Sequence, residues 1–470
     1  MKKLKIVGSK MSLVTLVFIA FVIVFSQFNI KPWKNAEKEN SLIDWDVTSY
    51  YAYLPAYFVH DDITLSFTDN DSINYAQKHQ FWPEIATNGG KVIKTTMGMS
   101  LLYSPFFLIA HTYAILSAEY LPNGFSKPYE LLLALSSIFY LMIGLYYLRK
   151  LLVKLFDEWV ASITLIAVVF GTNLYYYLTT EPCMSHSYTF SLLSIFAYFV
   201  LKWFDRQKLK YAIILGVTGG LITLIRPVNL IIFLFPLLYQ IHQPKVVKNL
   251  FIQYWKHLLL IAFLVFVFVF PQLLYWKYIT DHWFFNSYVG EQFYFDKPNL
   301  LEILFSYRSG WLLYSPMMIL SLVGFYFLRK SKRNLFCALL VPVLLNIYLL
   351  SCWWCWWFGG SYGLRAFIDF YPFLSIPFAA FVFWVLKQRG VLKNLLVSLM
   401  VCFICLNLYQ TLQKRRNIIH WDSMTKESYW MSFGKHTMQK ENWEIFNDLI
   451  QVPDYEKAKK GEDEYQFNPF

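Results

Sequence analysis

Apolar runs of about twenty residues, the length a helix needs to cross a bilayer core, follow one another from Met11 almost to the C-terminal tail. Every second connection between them is basic. Five clusters carry the charge: Arg149, Lys150 and Lys154; Lys202, Arg206, Lys208 and Lys210; Lys245, Lys248 and Lys256; Arg329, Lys330, Lys332 and Arg333; Lys387, Arg389 and Lys393. The alternate connections are poor in cations, with Arg226 alone in one, Lys297 and Arg308 in another, and Arg365 in a third. This alternation is that of an all-α polytopic membrane protein whose basic loops face the cytoplasm. Only 15% of the residues are charged and 57% are hydrophobic, whereas a soluble chain carries about a quarter charged residues. The net charge of +12 is thus a sum of loop clusters, and nucleic-acid binding is excluded. Six scattered cysteines offer no disulfide framework.

The runs predict eleven transmembrane helices, at roughly 11–30, 130–148, 159–178, 187–203, 211–225, 228–241, 257–276, 311–328, 334–351, 366–386 and 392–411. The first follows Lys2, Lys3, Lys5 and Lys10. It exceeds a signal-peptide core and no small-x-small site follows it, so it is read as an uncleaved span with a cytoplasmic N-terminus. A further apolar run, 97–116, is interrupted by Pro105 and His111. All five basic clusters face inward only if this run does not cross. It is therefore assigned, as a re-entrant or juxtamembrane helix, to a first external loop spanning 31–129. Residues 1–412 form the transmembrane domain in this reading. The polar tail 413–470, with Trp421, Trp430 and Trp443, is expected to pack on the external face, although Lys414, Arg415 and Arg416 run against that side.

With this topology the unusual polar residues collect at the external end. Asp44, Asp46 and Lys94 lie in the first loop, and Glu181 and His186 in the second. Arg226 lies in the third, Tyr307 and Arg308 in the fourth, and Arg365 and Asp369 in the fifth. Carboxylates and cations gathered at headgroup level suit glycosyl transfer from a polyprenyl-phosphate sugar. A departing lipid phosphate needs cations, which Lys94, Arg226, Arg308 and Arg365 supply. An acceptor hydroxyl needs a carboxylate to take its proton, and Asp46 is the choice, with Asp44 a rival two residues earlier. Tyr50, Tyr51, His186 and Tyr307 are candidate pocket residues.

Asp46-Val47-Thr48-Ser49-Tyr50-Tyr51, just past the first span, resembles the Asp-x-x-x-Tyr motif that opens the first external loop of GT-C glycosyltransferases, specifically the group of protein O-mannosyltransferases and aminoarabinose transferases. The resemblance implies a GT-C fold with external juxtamembrane helices, Asp46 as the base, and a polyprenyl monophosphate sugar as donor, used without a metal or other cofactor. It implies that Lys94, before Thr95-Thr96-Met97-Gly98, meets the donor phosphate, and that Glu181 matches a second acidic site by position. It also implies a multi-pass protein of the bacterial inner membrane with a periplasmic active site. The likeness covers roughly the first 240 residues. Val47 stands where relatives often have Glu, and Tyr307-Arg308-Ser309-Gly310-Trp311 and Gly359-Gly360-Ser361-Tyr362-Gly363-Leu364-Arg365 look like bacterial, uncharacterised branches of the group. The sugar and the acceptor, whether glycan, lipid or protein, do not carry over.

Blander roles stand beside these. Glu181-Pro182 could end one helix and begin the next, His186 could be a satisfied interfacial histidine, and Arg226 or Arg365 could pair with Asp369. Cys352-x-x-Cys355 lacks the second pair that a zinc site needs. Gly359-Gly360 with Gly363 has no nucleotide-binding spacing. The competing functions are a lipid-linked sugar flippase or transporter, which would place charges near helix midpoints, and an O-antigen ligase or polymerase, which would place its large external loop late in the chain.

Overall fold

A computed structural model describes residues 10–36, 41–69 and 75–462; Lys2, Lys3, Lys5 and the end of the tail lie outside them. The helices that position the site are, in chain order, α1 (Met11–Ile30), α2 (Asp46–Tyr51), α3 (Gly98–Ser117), α4 (Lys127–Leu155), α5 (Glu158–Phe170), α6 (Ser185–Asp205), α7 (Leu209–Ile225), α8 (Trp255–Thr280), α9 (Met317–Ser331), α10 (Arg333–Ser351), α11 (Tyr371–Lys387) and α12 (Gly390–Arg415). The strands β1 (Glu84–Ile85) and β2 (Lys91–Val92) form a small antiparallel hairpin between α2 and α3.

The helix surfaces are inverted relative to those of a soluble protein. Along α1 the buried residues include Ser12, Thr15 and Gln27, while Val17, Phe21 and Phe25 are exposed. Helix α12 repeats the pattern, with Asn407, Gln410 and Thr411 inside and Val391, Leu395 and Val401 outside. A bilayer imposes this arrangement, because a polar side chain facing hydrocarbon lacks partners. Gln27 finds them across the bundle, donating to Ser137 Oγ (3.1 Å) and to the Leu178 carbonyl (2.7 Å). Helix α11, buried along nearly its whole length, forms the centre. Helix α9 lies against it backbone to backbone at Gly324, where a Cβ would come within 2.1 Å of the Pro377 carbonyl oxygen.

Among the described residues, eight helices are long and apolar enough to cross a membrane. Seven coincide with expected spans, and the eighth is α3. The other four expected spans are shorter or broken. The run 159–178 stops at Phe170 and resumes as Leu174–Thr179, and 311–328 divides at Ser315-Pro316. The run 211–225 is the seventeen-residue α7, and beyond Arg226 the chain makes only a 3-10 segment, Pro227–Phe233, and a short helix, Leu234–Leu238. Proline and glycine explain the first three breaks, since Gly171, Pro316 and Pro227 each sit at one.

Helix α3 pairs antiparallel with only the first half of α4. The Leu102 carbonyl accepts from Tyr140 Oη (3.0 Å), and His111 Nδ1 bonds Tyr129 Oη (2.5 Å). The far end of α4 lies instead with Ser12 and Glu158, through Arg149 Nε (2.5 Å) and Nη2 (2.9 Å). Along α4, α3 thus runs from Leu102 beside Tyr140 to His111 beside Tyr129. Its first residue abuts Ile225, whose amide nitrogen would lie 2.6 Å from a Cβ on Gly98. The tail packs over the same end. Ser361 N–H donates to the Trp421 carbonyl (3.0 Å), Trp430 Nε1 to Tyr307 Oη (3.0 Å) and Arg308 Nη2 to the Gln451 carbonyl (3.3 Å). Two of the tail's cations are held by backbone: Lys414 Nζ donates to the His420 carbonyl (3.2 Å) and Arg416 Nη1 to that of His436 (2.6 Å).

Candidate active site

Leaving α1, the chain turns sharply at Asp44-Trp45-Asp46-Val47. The Val47 amide donates to the Asp44 carbonyl (3.0 Å), and Trp45 holds φ 48° and ψ −120°. These are the angles of the first central residue of a type II′ turn, a position dominated by glycine. A bulky residue there costs on the order of 1–3 kcal/mol and persists only where its surroundings hold it. Here the Trp45 N–H donates to Asp44 Oδ1 (2.9 Å) and its carbonyl accepts from the Ser49 amide (3.3 Å). The turn leaves Trp45 exposed and starts α2 with Asp46.

Asp46 Oδ2 accepts from Arg365 Nη2 at 2.5 Å. Arg365 opens a 3-10 turn, Arg365–Phe370, ahead of α11 and also donates from Nη1 to the Gly360 carbonyl (3.3 Å). Its buried Nε has no partner among the described residues. Four residues on, Asp369 Oδ1 pairs with His186 Nδ1 (2.8 Å), while Oδ2 accepts from Asn229 Nδ2 (3.0 Å) and lies 3.6 Å from Arg226 Nη1. Asp369 thus holds Arg226 by charge, and the guanidinium also lies over the Phe358 ring at 6.0 Å and near Tyr50 and Tyr288.

Lys94 acts on the Asp46 carboxylate from a separate element. The hairpin β1–β2 is clamped to α8, with the Ile93 amide donating to Tyr275 Oη (3.0 Å) and the Met97 amide to Gln272 Oε1 (2.8 Å). Lys94 pairs with Glu291, stands 3.9 Å from Glu84 Oε1 and lies over the Tyr288 ring at 5.3 Å. Glu291 is itself held by Trp354 Nε1 (3.0 Å).

The Asp46 side chain keeps 47% of its surface accessible, against 2% for Asp369. Asp46 therefore lines an opening, whereas Asp369 supports it from behind. Burial works to raise the Asp46 carboxyl, but Arg365 beside it, with Lys94 and Arg226, outweighs burial and holds it below the ordinary carboxylate range. Asp44 differs. Burial raises its carboxyl, only the Trp45 amide opposes this, and it makes no ion pair among the described residues.

The structure thus brings together Asp46, Lys94, Arg226 and Arg365, with Tyr50 beside them; Tyr50 Oη accepts from Ser185 Oγ (3.4 Å). Glu181 Oε1 accepts from Tyr176 Oη (2.7 Å) on the far side of Arg365, which feels both Asp46 and Glu181. Other candidates lie elsewhere. Tyr51 is fully buried and donates to the Gly124 carbonyl (2.5 Å). His186 is sealed behind Asp369, with no partner for Nε2 among the described residues. Tyr307 and Arg308 hold the tail, and Arg308 also lies over the Trp357 ring at 5.1 Å. Sequence reasoning missed Asn229, Glu84, Glu291 and Tyr288. Only Glu84 carried a signal, a carboxylate ten residues before Lys94 in a loop already singled out.

No protein-family model matches the sequence, and no curated protein matches it. Among solved structures, the chain is similar to the oligosaccharyltransferase of Archaeoglobus fulgidus, determined with a tethered acceptor peptide containing the NVT sequon. The TM-score is 0.50 at 14% identity, over 98% of this chain and 61% of that one. The chain therefore spans about three fifths of that relative's length. At this identity the likeness establishes architecture alone: an all-α membrane protein of the GT-C fold.

Proposed function

We propose that the chain is an integral-membrane, inverting glycosyltransferase that moves a sugar from a polyprenyl-phosphate donor to an acceptor hydroxyl at the external, periplasmic face of a bacterial inner membrane. The observation that carries this reading is the half-open Asp46 carboxylate with three cations converging on it from separate elements. The acceptor oxygen attacks the anomeric carbon and its proton passes to Asp46, while the bond from that carbon to the phosphate oxygen breaks and its electron pair leaves with the lipid phosphate. Arg226, Arg365 and Lys94 face the charge that develops on the leaving group, a role this reading gives to side chains rather than to a bound metal.

The ion pair with Arg365 links the two halves of the reaction. A carboxylate held below its ordinary range is a weak base. When the phosphate engages Arg365, Asp46 loses its strongest stabilising partner and becomes a better proton acceptor as the donor is seated. The donor class is tested by mass spectrometry of lipid retained by the Asp46→Asn variant purified in nanodiscs. The expected species is a polyprenyl monophosphate sugar, and a diphosphate-linked saccharide in its place would overturn the assignment. With that donor and cognate acceptor, transfer by Asp46→Asn should fall by about 10²–10⁴-fold, the usual contribution of a general base, with donor binding retained.

A further inference from the structure

In the loop that carries Asp46, the rings of Trp45 and Trp82 stand side by side, with centroids 5.8 Å apart and planes inclined by 49°. They are 65% and 53% exposed, although the same two segments bury Leu42, Ile43 and Phe81. We propose that this pair is the acceptor subsite and that the acceptor is a saccharide, one ring of which lies on the indole faces while a hydroxyl of it or of the adjoining sugar reaches Asp46. The proposal rests on the glycosyl-transfer reading and adds the substrate class.

Three observations carry it. Trp45 immediately precedes Asp46, so the proposed platform and the proposed base are carried by the same turn. The chain also holds Trp45 in a conformation suited to glycine, pinned at N–H by Asp44 and at the carbonyl by Ser49. Strain maintained at a side chain that stays 65% exposed points to use of that side chain. Finally, carboxylates lie close to both rings along the chain: Asp44 and Asp46 immediately before and after Trp45, and Glu84 two residues beyond Trp82. The slightly positive C–H faces of a sugar meet the negative face of an aromatic ring, and its hydroxyls donate to carboxylates. Acyl chains have no use for the latter.

The test uses the full chain in nanodiscs and fluorescently tagged linear oligosaccharides of glucose, mannose and N-acetylglucosamine, read by polarisation. At least one series should bind. Trp82→Leu should weaken that binding by about tenfold or more, as expected for a lost stacking contact, whereas Trp82→Tyr, which keeps an aromatic face, should weaken it far less. Trp45→Gly, in which the turn is relaxed, should fold at least as well as the parent and lose binding as Trp82→Leu does. Absence of binding by every series, or a leucine at 82 as good as tryptophan, which marks a lipid-facing ring, would overturn the subsite. So would a loss confined to donor affinity. The two readings fail separately. Saccharide binding that depends on the rings, together with transfer that survives Asp46→Asn, removes the base and leaves the subsite; Asp46-dependent transfer with no saccharide bound does the reverse.

Discussion

Two polar clusters sit in this bundle, one neutral and one charged, and are put to opposite ends. One surrounds Asn173 at the break between α5 and Leu174–Thr179. Its amide nitrogen donates to Ser315 Oγ (3.1 Å), its Nδ2 to the Tyr362 carbonyl (3.0 Å), and its Oδ1 accepts from Tyr371 Oη (2.6 Å), all fully buried. Three interrupted segments are tied there, and every hydrogen-bonding group of the Asn173 side chain is used. The other cluster is the charged group around Asp46, where the carboxylate is half open, Arg226 is partly accessible and Arg365 Nε has no partner among the described residues. Satisfaction marks a group that holds the fold, and charge left incompletely paired at an opening marks one that awaits a ligand.

The contrast is broken most directly by exchanging the expected losses. Asp46→Asn should reduce transfer by about 10²–10⁴-fold while lowering the melting temperature in nanodiscs less than a change at Asn173 does, because the carboxylate, although paired with Arg365, is half exposed. Asn173→Leu should do the opposite, lowering thermal stability by about 1–3 kcal/mol for a buried group left unpaired, with kcat of the folded fraction near that of the parent. A stability loss at Asp46 as large as that at Asn173, or a pure rate loss at Asn173, would collapse the distinction. A smaller effect is expected one shell behind the opening. Asp369→Asn keeps the shape but removes the charge facing Arg226, and should raise the donor KM by roughly tenfold, the scale of one charge-assisted contact, with kcat little changed. Arg226→Ala should raise it further, and equal effects on an acceptor KM would remove both residues from the phosphate.

Much of this was legible in the sequence, for a definite reason. Residues that are costly in a bilayer are rare there, so Asp46, Lys94, Arg226 and Arg365 stand out by type, and the alternation of basic loops places them at one end. The GT-C architecture followed from the motif after the first span. What could not be read was which of several similar residues share a cavity. Tyr307 and Arg308 have the right chemistry at the right end, yet Trp430 and Gln451 of the tail claim them. No periodicity announces a tail's packing partners. The support behind Arg226 draws on His186, Asn229 and Asp369 from three separate elements, and such convergence is tertiary. The breaks at Gly171 and Pro316 were hidden because apolar composition continues through them, and composition rather than hydrogen bonding set the expected spans.

The pH dependence sharpens the same comparison. The Asp46 carboxyl is held below its ordinary range, so the stabilisation it draws from its cations is present above the unfolded value, about 3.9, and is lost as pH falls through the lowered one. Transfer should accordingly be flat across neutral and mildly acidic pH, with its acid limb below the ordinary carboxylate value. In Arg365→Gln burial is no longer outweighed by its main opponent, and the limb should move upward. An unmoved limb would show that some group other than Asp46 titrates.

The mildest change should separate the two acids that the sequence left as rivals. Asp44 makes no ion pair among the described residues, and its recorded side-chain bond holds the Trp45 amide in the strained turn. Asp44→Ala should therefore cost about 0.5–1.5 kcal/mol of stability and lower transfer less than tenfold, since Asp46 is displaced rather than removed. If Asp44 acts through that turn, its effect depends on there being strain to hold. Glycine at 45 adopts the same angles without penalty, so Asp44→Ala should cost markedly less stability in a Trp45→Gly background than in the parent, a non-additivity that a double-mutant cycle measures as thermal stability. Strict additivity, or a rate loss at Asp44 as large as that of Asp46→Asn, would show that Asp44 works on the substrate and not on the turn.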